Sequence, residues 1–212
     1  MTTEEIPVPG TEAWTPGEWL IDPTHSQVTF TIRHALVAVR CAFLDFSGAI
    51  TVGDSPEDSE VHAEIKTASF TSGFEYRDNR VRTFDDLLAS GSFPTITYDS
   101  TRVTALAEPD HYRIGGELTV LGKTRPVDLQ TRFIGVGRVA EYGTRAGFIA
   151  HTTLDRRDFG MTRDTSIVDS VKPLGDGNRL LGWTIDVEIN LEAVLTTDPG
   201  KYGLDRISEP AK

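Results

Sequence analysis

The amino-acid sequence predicts a mainly β protein, built as a single antiparallel β-barrel of about eight strands with one short helical segment near residues 75–89. Apolar residues alternate with polar residues over most of the chain, as in strands that bury one face. Clusters of Gly, Pro, Asp and Asn separate these alternating runs, as turns between strands require. One stretch interrupts the alternation and has helical spacing instead.

The strands are predicted where the alternation is sustained, because a strand places every second side chain on the same face. The clearest case lies near the C-terminus, where apolar residues occupy the odd positions from Leu181 to Leu191 and polar residues or Gly occupy the even ones. The segments predicted as strands are 28–32, 61–68, 95–106, 112–120, 127–133, 146–154 and 181–191. Turns are predicted at 53–56, 108–110, 121–123 and 175–178.

The helical segment covers Glu75 to Ala89. It has no period-two run, and Val81, Phe84 and Leu88 lie at helical spacing. We expect this helix to lie across the barrel or to cap one of its ends.

The domain organisation is simple, because no internal repeat and no linker divides the chain of 212 residues. We expect a flexible N-terminal tail at 1–17, a barrel domain at 18–195 and a flexible C-terminal tail at 196–212. The tails are rich in Pro, Gly, Thr and charged residues and have no periodicity.

The formal net charge of −11 argues against nucleic acid and anionic membrane surfaces as partners, since both attract basic proteins. No apolar run is long enough for a transmembrane segment. The first residues carry two glutamates and no apolar stretch, so no secretory signal is recognised and a cytoplasmic location is predicted. The single cysteine, Cys41, fits a reducing compartment and is expected to be structural.

The polar motifs favour binding over catalysis. Residues 135–140 match a dinucleotide fingerprint by letters, but an amphipathic strand follows where a helix is needed, so a hairpin connection is predicted there. None of the five histidines has a spacing typical of a metal site, and neither metal nor cofactor is predicted. His34 shares a strand face with Phe30 and Ile32, which is consistent with a core histidine or with a polar contact inside a cavity.

Arginines are concentrated in two segments, 77–82 and 156–163, where a guanidinium could hold a phosphate head. Carboxylates accompany both segments, so internal ion pairing is the alternative.

Several stretches together resemble the YceI-like family of lipid- or polyisoprenoid-binding proteins. Their order and spacing agree with that family over residues 19–193. The chain departs from the family pattern at Arg80, where a histidine is usual, and the segment before Phe93-Pro94 is one residue longer. The matching stretches are WLIDPTHSQVTFTIRH (19–34), FLDFSGAI (43–50), RDNRVRTFDD (77–86), FPTITYDST (93–101), YRIGGELTVLGKTRPVDL (112–129), AGFIAHTTLDRRDFGM (146–161) and LLGWTIDVEINLEA (180–193).

The resemblance implies a lipocalin-like barrel and a homodimer. It implies a carrier and not an enzyme, whose apolar interior binds a polyisoprenoid, an isoprenoid quinone or a fatty-acid derivative for transport, storage or sequestration. Together with the strand faces, it predicts the ligand-binding residues Val28, Phe30, Ile32, His34, Phe43, Phe46, Ile50, Phe84, Leu87, Leu88, Phe93, Ile96, Tyr98, Leu118, Val120, Phe148, Phe159, Trp183 and Ile185.

Three alternatives remain open at this point. A small barrel can equally be filled by its own side chains, so alternation alone does not establish a cavity. The same pocket could serve an enzyme that uses His34 and His25 as polar or metal-binding groups. The barrel could also be the scaffold of an interaction module.

Overall fold

A computed structural model describes residues 15–163, 180–202 and 207. They form strands joined by short turns, together with one α-helix and four 3₁₀ turns. The strands are β1 (Gly17–Ile21), β2 (Gln27–His34), β3 (Val37–Phe43), β4 (Phe46–Val52), β5 (Glu60–Lys66), β6 (Phe70–Thr71), β7 (Thr95–Ala105), β8 (His111–Val120), β9 (Lys123–Val139), β10 (Gly143–Asp155) and β11 (Leu181–Leu195), and the helix is α1 (Glu75–Thr83).

All strand pairs are antiparallel, and the sheet closes on itself because β1 pairs with both β4 and β11. The two bent strands β1–β2 and β3–β4 pair with each other along their length. Next to them, β5 pairs with β4 and β6 pairs with β3, so β5 and β6 together form one interrupted strand. Counting each bent or interrupted strand once gives a closed barrel of eight strands, which confirms the predicted fold class.

The bend between β1 and β2 is fixed by a buried ion-pair network around Asp22. The Asp22 carboxylate accepts hydrogen bonds from the Thr24 amide at 2.9 Å and from the Arg145 guanidinium. Arg145, itself buried, also donates to Glu192 at 2.7 Å. The network thus links the bend to Arg145 on β10 and to Glu192 on β11. β11 is the strand that closes the barrel by pairing with β1.

The helix α1 confirms the predicted helix and is shorter than the interval 75–89. It ends at Thr83, because Phe84 has extended backbone dihedral angles, and the chain then continues through turns to β7. Asp78 is the only buried residue of α1, and it accepts hydrogen bonds from Thr71 and Ser72. Polar contacts, more than an apolar face, therefore hold α1 over one end of the barrel. Among the described residues, no helix has both the length and the apolar character needed to cross a bilayer.

The barrel interior has two parts. At the end opposite α1, which we call the lower end, Trp19, Ile50 and the Phe133–Phe148 ring pair are packed into a filled core. Towards α1, at the upper end, inward-facing residues surround open space instead. The barrel is therefore filled at its lower end and hollow at its upper end.

Three sequence predictions need comment. Residues 135–139 continue β9, with a bulge and a positive φ of 146° at Gly135, so the hairpin connection predicted at 135–140 was wrong; the turn is at Ala140–Tyr142. Residues 196–202 lie against the barrel, where Asp198 accepts hydrogen bonds from Arg138 and Thr144. The predicted turn at 175–178 and most of both predicted tails lie outside the described residues.

Candidate functional site

The hollow upper part contains an apolar cavity of about 180 Å³, which we call the lumen cavity. Every strand of the barrel wall contributes residues to it, and no charged side chain is among the described residues that line it. Phe30 and Phe43 form one wall, with ring centroids 5.8 Å apart, and Phe70 packs against both rings. Such a space favours an apolar occupant.

A second cavity of about 90 Å³, the upper cavity, lies between the lumen cavity and α1. Phe30, Leu88, Met161 and Ile185 line both cavities, so the two spaces are neighbours across these four side chains. His34, Cys41, Arg77 and Arg156 belong to the lining of the upper cavity, but the surface that this lining presents to the cavity is apolar. Both cavities therefore present apolar surface, and among the described residues arginine side chains lie around the upper one only.

The two arginines of the upper cavity are held differently. Arg156 is buried, donates to the carbonyls of Gly182 and Arg163 at 2.8 and 2.7 Å, and stacks on Trp183 with its guanidinium carbon 4.1 Å from the ring centroid. Arg156 thereby links the start of β11, at Gly182, to the loop at Arg163. Arg77 extends from α1 and is bonded only to Ser72 among the described residues.

The Cys41 thiol lines the upper cavity but is unreactive. Burial raises its pKa to about 11, so it stays protonated at neutral pH. This agrees with the structural role expected for it.

Tyr98 forms part of the lumen wall, where its hydroxyl is fully engaged. It donates to the Ile114 carbonyl at 2.9 Å and lies 3.2 Å from the Val127 carbonyl, and burial raises its pKa strongly. Its ring lies over Gly116, where an added Cβ would stand 2.5 Å from the Tyr98 ring. A glycine at this position therefore allows an aromatic ring to lie flat against the wall.

Most predicted ligand-binding residues line these cavities, because strand alternation carried them to the inner face. In the lumen cavity are Val28, Phe30, Phe43, Phe46, Leu88, Ile96, Tyr98, Leu118, Val120 and Ile185. In the upper cavity are Phe30, Ile32, His34, Leu87, Leu88 and Ile185.

Six predicted residues lie elsewhere, for reasons that the alternation could not reveal. Ile50 and Phe148 face inward but belong to the filled lower core. Phe84 packs under the Arg163 guanidinium, and Trp183 packs against Arg156. Phe93 is on the surface, packed near Gly122, and Phe159 is buried in the core beside a gap in the barrel wall.

Sequence reasoning missed several lining residues. Ile65, Leu129, Leu154, Val187, Ile189 and Leu191 lie on the inner faces of predicted strands, so the same alternation would have identified them. Met161 had no such signal, because it lies in a loop where the sequence has no period-two pattern. Arg77 lies in α1 and was noted only as part of the arginine-rich segment 77–82.

The gap in the wall lies between β9 and β10 at the upper end. Their pairing stops at His151 and Gln130, and no described residue of 152–155 pairs with β9. Val127, Thr152 and Leu154 line both the lumen cavity and an outer cleft of about 490 Å³. Pro126, which has no N–H to donate, suits such an unpaired strand edge.

The two carboxylates beside His25 are already engaged by an arginine. Asp22, His25 and Glu192 bring three candidate ligand atoms within 4.8 Å of one another, but Arg145 already binds both carboxylates. Burial alone would raise the pKa of Asp22, yet the hydrogen bonds from Thr24, Arg145 and His25 outweigh it and lower the pKa to about 2. His25 lines neither cavity, so it does not share a pocket with His34.

Three of the four remaining arginines of the two segments form ion pairs, as the ion-pairing alternative predicted. Arg82 donates to the Phe70 carbonyl and to Glu75, Arg157 binds Asp155, and Arg163 binds Asp86. Arg80, which stands where the family usually has histidine, is exposed and stacks on Tyr76 and Phe84.

Comparison with known sequences finds relatives over most of the domain. The chain is 37% identical over 142 residues to a UPF0312 protein of Azotobacter vinelandii, which covers 66% of this chain and 73% of the relative. It is 33% identical over 151 residues to a UPF0312 protein of Shewanella oneidensis, which covers 69% of this chain and 78% of the relative.

Solved structures share the fold at lower identity. Burkholderia cenocepacia BcnA aligns with a TM-score of 0.65 at 20% identity, over 82% of this chain and 99% of BcnA. A polyisoprenoid binding domain from Saccharophagus degradans aligns with a TM-score of 0.61 at 16% identity, over 85% of this chain and 99% of the domain. The family model of the YceI-like domain matches residues 19–193, which is nearly the whole barrel. The chain therefore belongs to the YceI-like family.

Proposed function

We propose that this protein binds a slender amphiphilic lipid, with its apolar chain in the lumen cavity and its head in the upper cavity, and that it transports, stores or sequesters this lipid. The observation that carries the proposal is the lumen cavity itself, an empty space inside the barrel whose described lining residues include no charged side chain. The polyisoprenoid binding named for a neighbour of the same fold supports an isoprenoid chain. Isoprenoid quinones and fatty-acid derivatives have the same overall shape.

The size of the cavities favours a single chain. Small-molecule sites commonly enclose roughly 300–1,000 Å³, whereas the lumen cavity encloses about 180 Å³. A wide ring system would require the wall to move, while one narrow chain can extend from the lumen cavity past the four shared side chains into the upper cavity. Burying apolar ligand surface contributes roughly 25 cal/mol per Å², so the tail supplies most of the affinity.

We propose a carrier and not an enzyme, because His25, the second histidine of the enzyme hypothesis, lies outside both cavities. The remaining groups of the upper cavity suit binding: a protonated thiol, two guanidinium groups and one imidazole.

The test is mass spectrometry of the organic extract of protein purified from cells. We expect a single-chain lipid in near-stoichiometric amount. The matched control is the Ala63→Leu variant, which fills the lumen cavity and should yield an extract depleted in that lipid. An extract from the native protein with no more lipid than the variant's would contradict the proposal.

We further propose a homodimer and a cytoplasmic location, as the sequence analysis predicted. The homodimer is expected to have twice the subunit mass of 23.3 kDa in light scattering at micromolar concentration. A monomeric mass would contradict it.

A further inference from the structure

Exposed apolar side chains are concentrated around the upper cavity. The three most exposed large apolar residues of the described chain are Leu36 at 73%, Tyr76 at 67% and Val37 at 64%, and Phe74 is 58% exposed. We call these four residues the apolar rim. Single apolar residues scattered over a surface are normal, whereas a group of them at one place marks an interaction surface.

The apolar rim has two parts, which lie on two sides of the upper cavity. Leu36 and Val37 form the tip of the hairpin between β2 and β3. Both strands of this hairpin line the cavity next to the tip, at His34 and Val39. Tyr76 lies in the first turn of α1, a helix that also contributes to the lining. Because the cavity encloses only about 90 Å³, the hairpin tip and the start of α1 stand close to each other.

The hairpin tip is held in place by hydrogen bonds. Ala35 has a positive φ of 52°, which is uncommon outside glycine. Its amide donates to the Leu180 carbonyl at 2.6 Å, and its carbonyl accepts a hydrogen bond from Arg33 Nη1 at 2.5 Å. A strained turn that its neighbours hold in this way is typical of functional sites. The adjacent Leu36 is thus presented to solvent on a fixed backbone, so little entropy is lost when a partner covers it.

The charges next to the apolar rim are opposite in sign to those of the whole protein. The hairpin segment 33–40 and α1 together contain five arginines and two carboxylates, in a protein whose formal net charge is −11. Of these carboxylates, Asp78 is buried and Glu75 pairs with Arg82. The next carboxylates, at 85–86, follow the far end of α1. Charges more than about 8 Å apart are largely screened at physiological ionic strength, so the local positive excess acts on whatever contacts the rim.

Arginines and aromatic rings are combined at the start of α1. The Phe74 and Tyr76 ring centroids are 6.4 Å apart. The Arg77 guanidinium carbon lies 6.0 Å from the Phe74 centroid, and that of Arg80 lies 5.7 Å from the Tyr76 centroid. Tyrosine and arginine have an apolar body and a polar end, so they suit the boundary between lipid headgroups and lipid chains.

We propose that the apolar rim docks the protein on a phospholipid bilayer, with its apolar side chains among the headgroups and the neighbouring arginines on lipid phosphates. A second copy of the chain fits this surface less well, because two such rims would bring arginines face to face. The use of this surface to collect lipid rests on the proposed function, whereas the docking itself does not.

The test measures how much of the full chain co-sediments with vesicles of phosphatidylcholine and phosphatidylglycerol. Leu36→Ser should bind these vesicles about tenfold more weakly, the ratio expected when one leucine side chain is no longer buried. The matched control is Leu44→Ser, a leucine that is 59% exposed at the opposite end of β3, roughly 20 Å from the tip. It should bind as the native protein does. Because both leucines are exposed, neither substitution should change the thermal stability.

A charge variant tests the arginines. Arg40, next to the hairpin tip, is exposed. Arg40→Gln should weaken binding to the mixed vesicles about fivefold, since one arginine near an anionic surface contributes about that factor. It should have less effect on vesicles of phosphatidylcholine alone. An equal effect on both vesicles would overturn the part assigned to the arginines.

The outcomes separate docking from lipid binding. Failure of the native protein to bind either vesicle, or an equal loss in Leu36→Ser and Leu44→Ser, would overturn the docking surface; uptake of farnesol from solution would still support the proposed function. Vesicle binding without any farnesol uptake would contradict the proposed function and leave the docking surface intact. Where both occur, Leu36→Ser should slow farnesol uptake from vesicles and leave uptake from solution unchanged. An unchanged rate from vesicles would overturn the role of the rim in collecting lipid.

Discussion

Asp22 shows how one buried carboxylate can fix the geometry of a bent strand. Only 2% of its surface is exposed, and its hydrogen bonds join the bend between β1 and β2 to Arg145 on β10. The ionised form is favoured because donors surround it, which is why the pKa is lowered although burial opposes ionisation.

Asp22→Asn is expected to lower the free energy of unfolding at pH 7 by about 2 kcal/mol, the amount that corresponds to a pKa shift from 3.8 to about 2. The native-state pKa is the lower one, so this contribution is complete above pH 4–5 and is lost as the pH falls towards about 2. The variant should therefore lose less stability than the native protein between pH 5 and pH 2. Urea denaturation at several pH values measures both effects.

The matched control is Asp99→Asn. Asp99 also pairs with a histidine, His62 at 2.6 Å, but both side chains are more than half exposed. We expect a change within about 0.5 kcal/mol at pH 7. An equal loss in the two variants would show that burial of the Asp22 network is unimportant.

Phe30 and His34, on one face of β2, separate tail binding from head binding. Phe30 lines both cavities, and His34 lines only the upper one. We expect Phe30→Ala to weaken farnesol binding more than His34→Ala, whose cost is that of one hydrogen bond, about 1 kcal/mol. Calorimetry on variants with matched thermal stability measures this. Loss of binding in His34→Ala alone would favour a polar-site mechanism over a lipid carrier.

At the scale of elements, the gap between β9 and β10 is a weak part of the wall. Strand segments without a partner expose backbone groups to solvent and exchange hydrogen readily. We expect fast amide exchange for about half of the amides of 123–129, those facing away from β8, whereas amides of 130–133 and 148–151 should be protected. Uniform protection across both groups, measured by NMR or mass spectrometry, would mean that the strands are joined in solution.

The sequence predicted most strands well and predicted their junctions poorly. β11 alternates without interruption because it borders the cavity along most of its length, so its pattern was unambiguous. Of the first four strands only β2 was predicted, as 28–32; β1, β3 and β4 were not, since the bends that define them depend on contacts such as Asp22–Arg145 between residues far apart in the sequence. The helix ends at Thr83, earlier than predicted. Leu87 and Leu88 nevertheless reach the upper cavity, because the turns after Thr83 bring them there.

At the scale of the whole molecule, the division into a filled and a hollow half was beyond sequence analysis. Phe46 and Phe148 have the same inward orientation, yet one lines the lumen cavity and the other packs against Phe133. Which of them borders empty space depends on how the side chains of all eight strands fit together. Alternation identifies the inner face, and only three-dimensional packing identifies the vacant part of it.

The same substitution should therefore have opposite effects in the two halves. Ala63→Leu, in the lumen cavity, is expected to weaken farnesol binding at least tenfold without loss of stability. Ala146→Leu, in the filled core where alanine is 3% exposed, is expected to destabilise the protein by about 1–3 kcal/mol through overpacking. Thermal denaturation and calorimetry distinguish the two, and equal destabilisation would contradict a hollow upper half.

The packed residues Trp19, Phe133 and Phe148 close the lower end of the proposed binding site. A lipid that enters through the upper end must go in tail first, and its head is the last part to be covered. Release follows the reverse order, with the head leaving before the chain. In the proposed carrier function, an acceptor, whether another protein or a bilayer, would therefore meet the head first, and we expect transfer of the lipid to proceed in that direction.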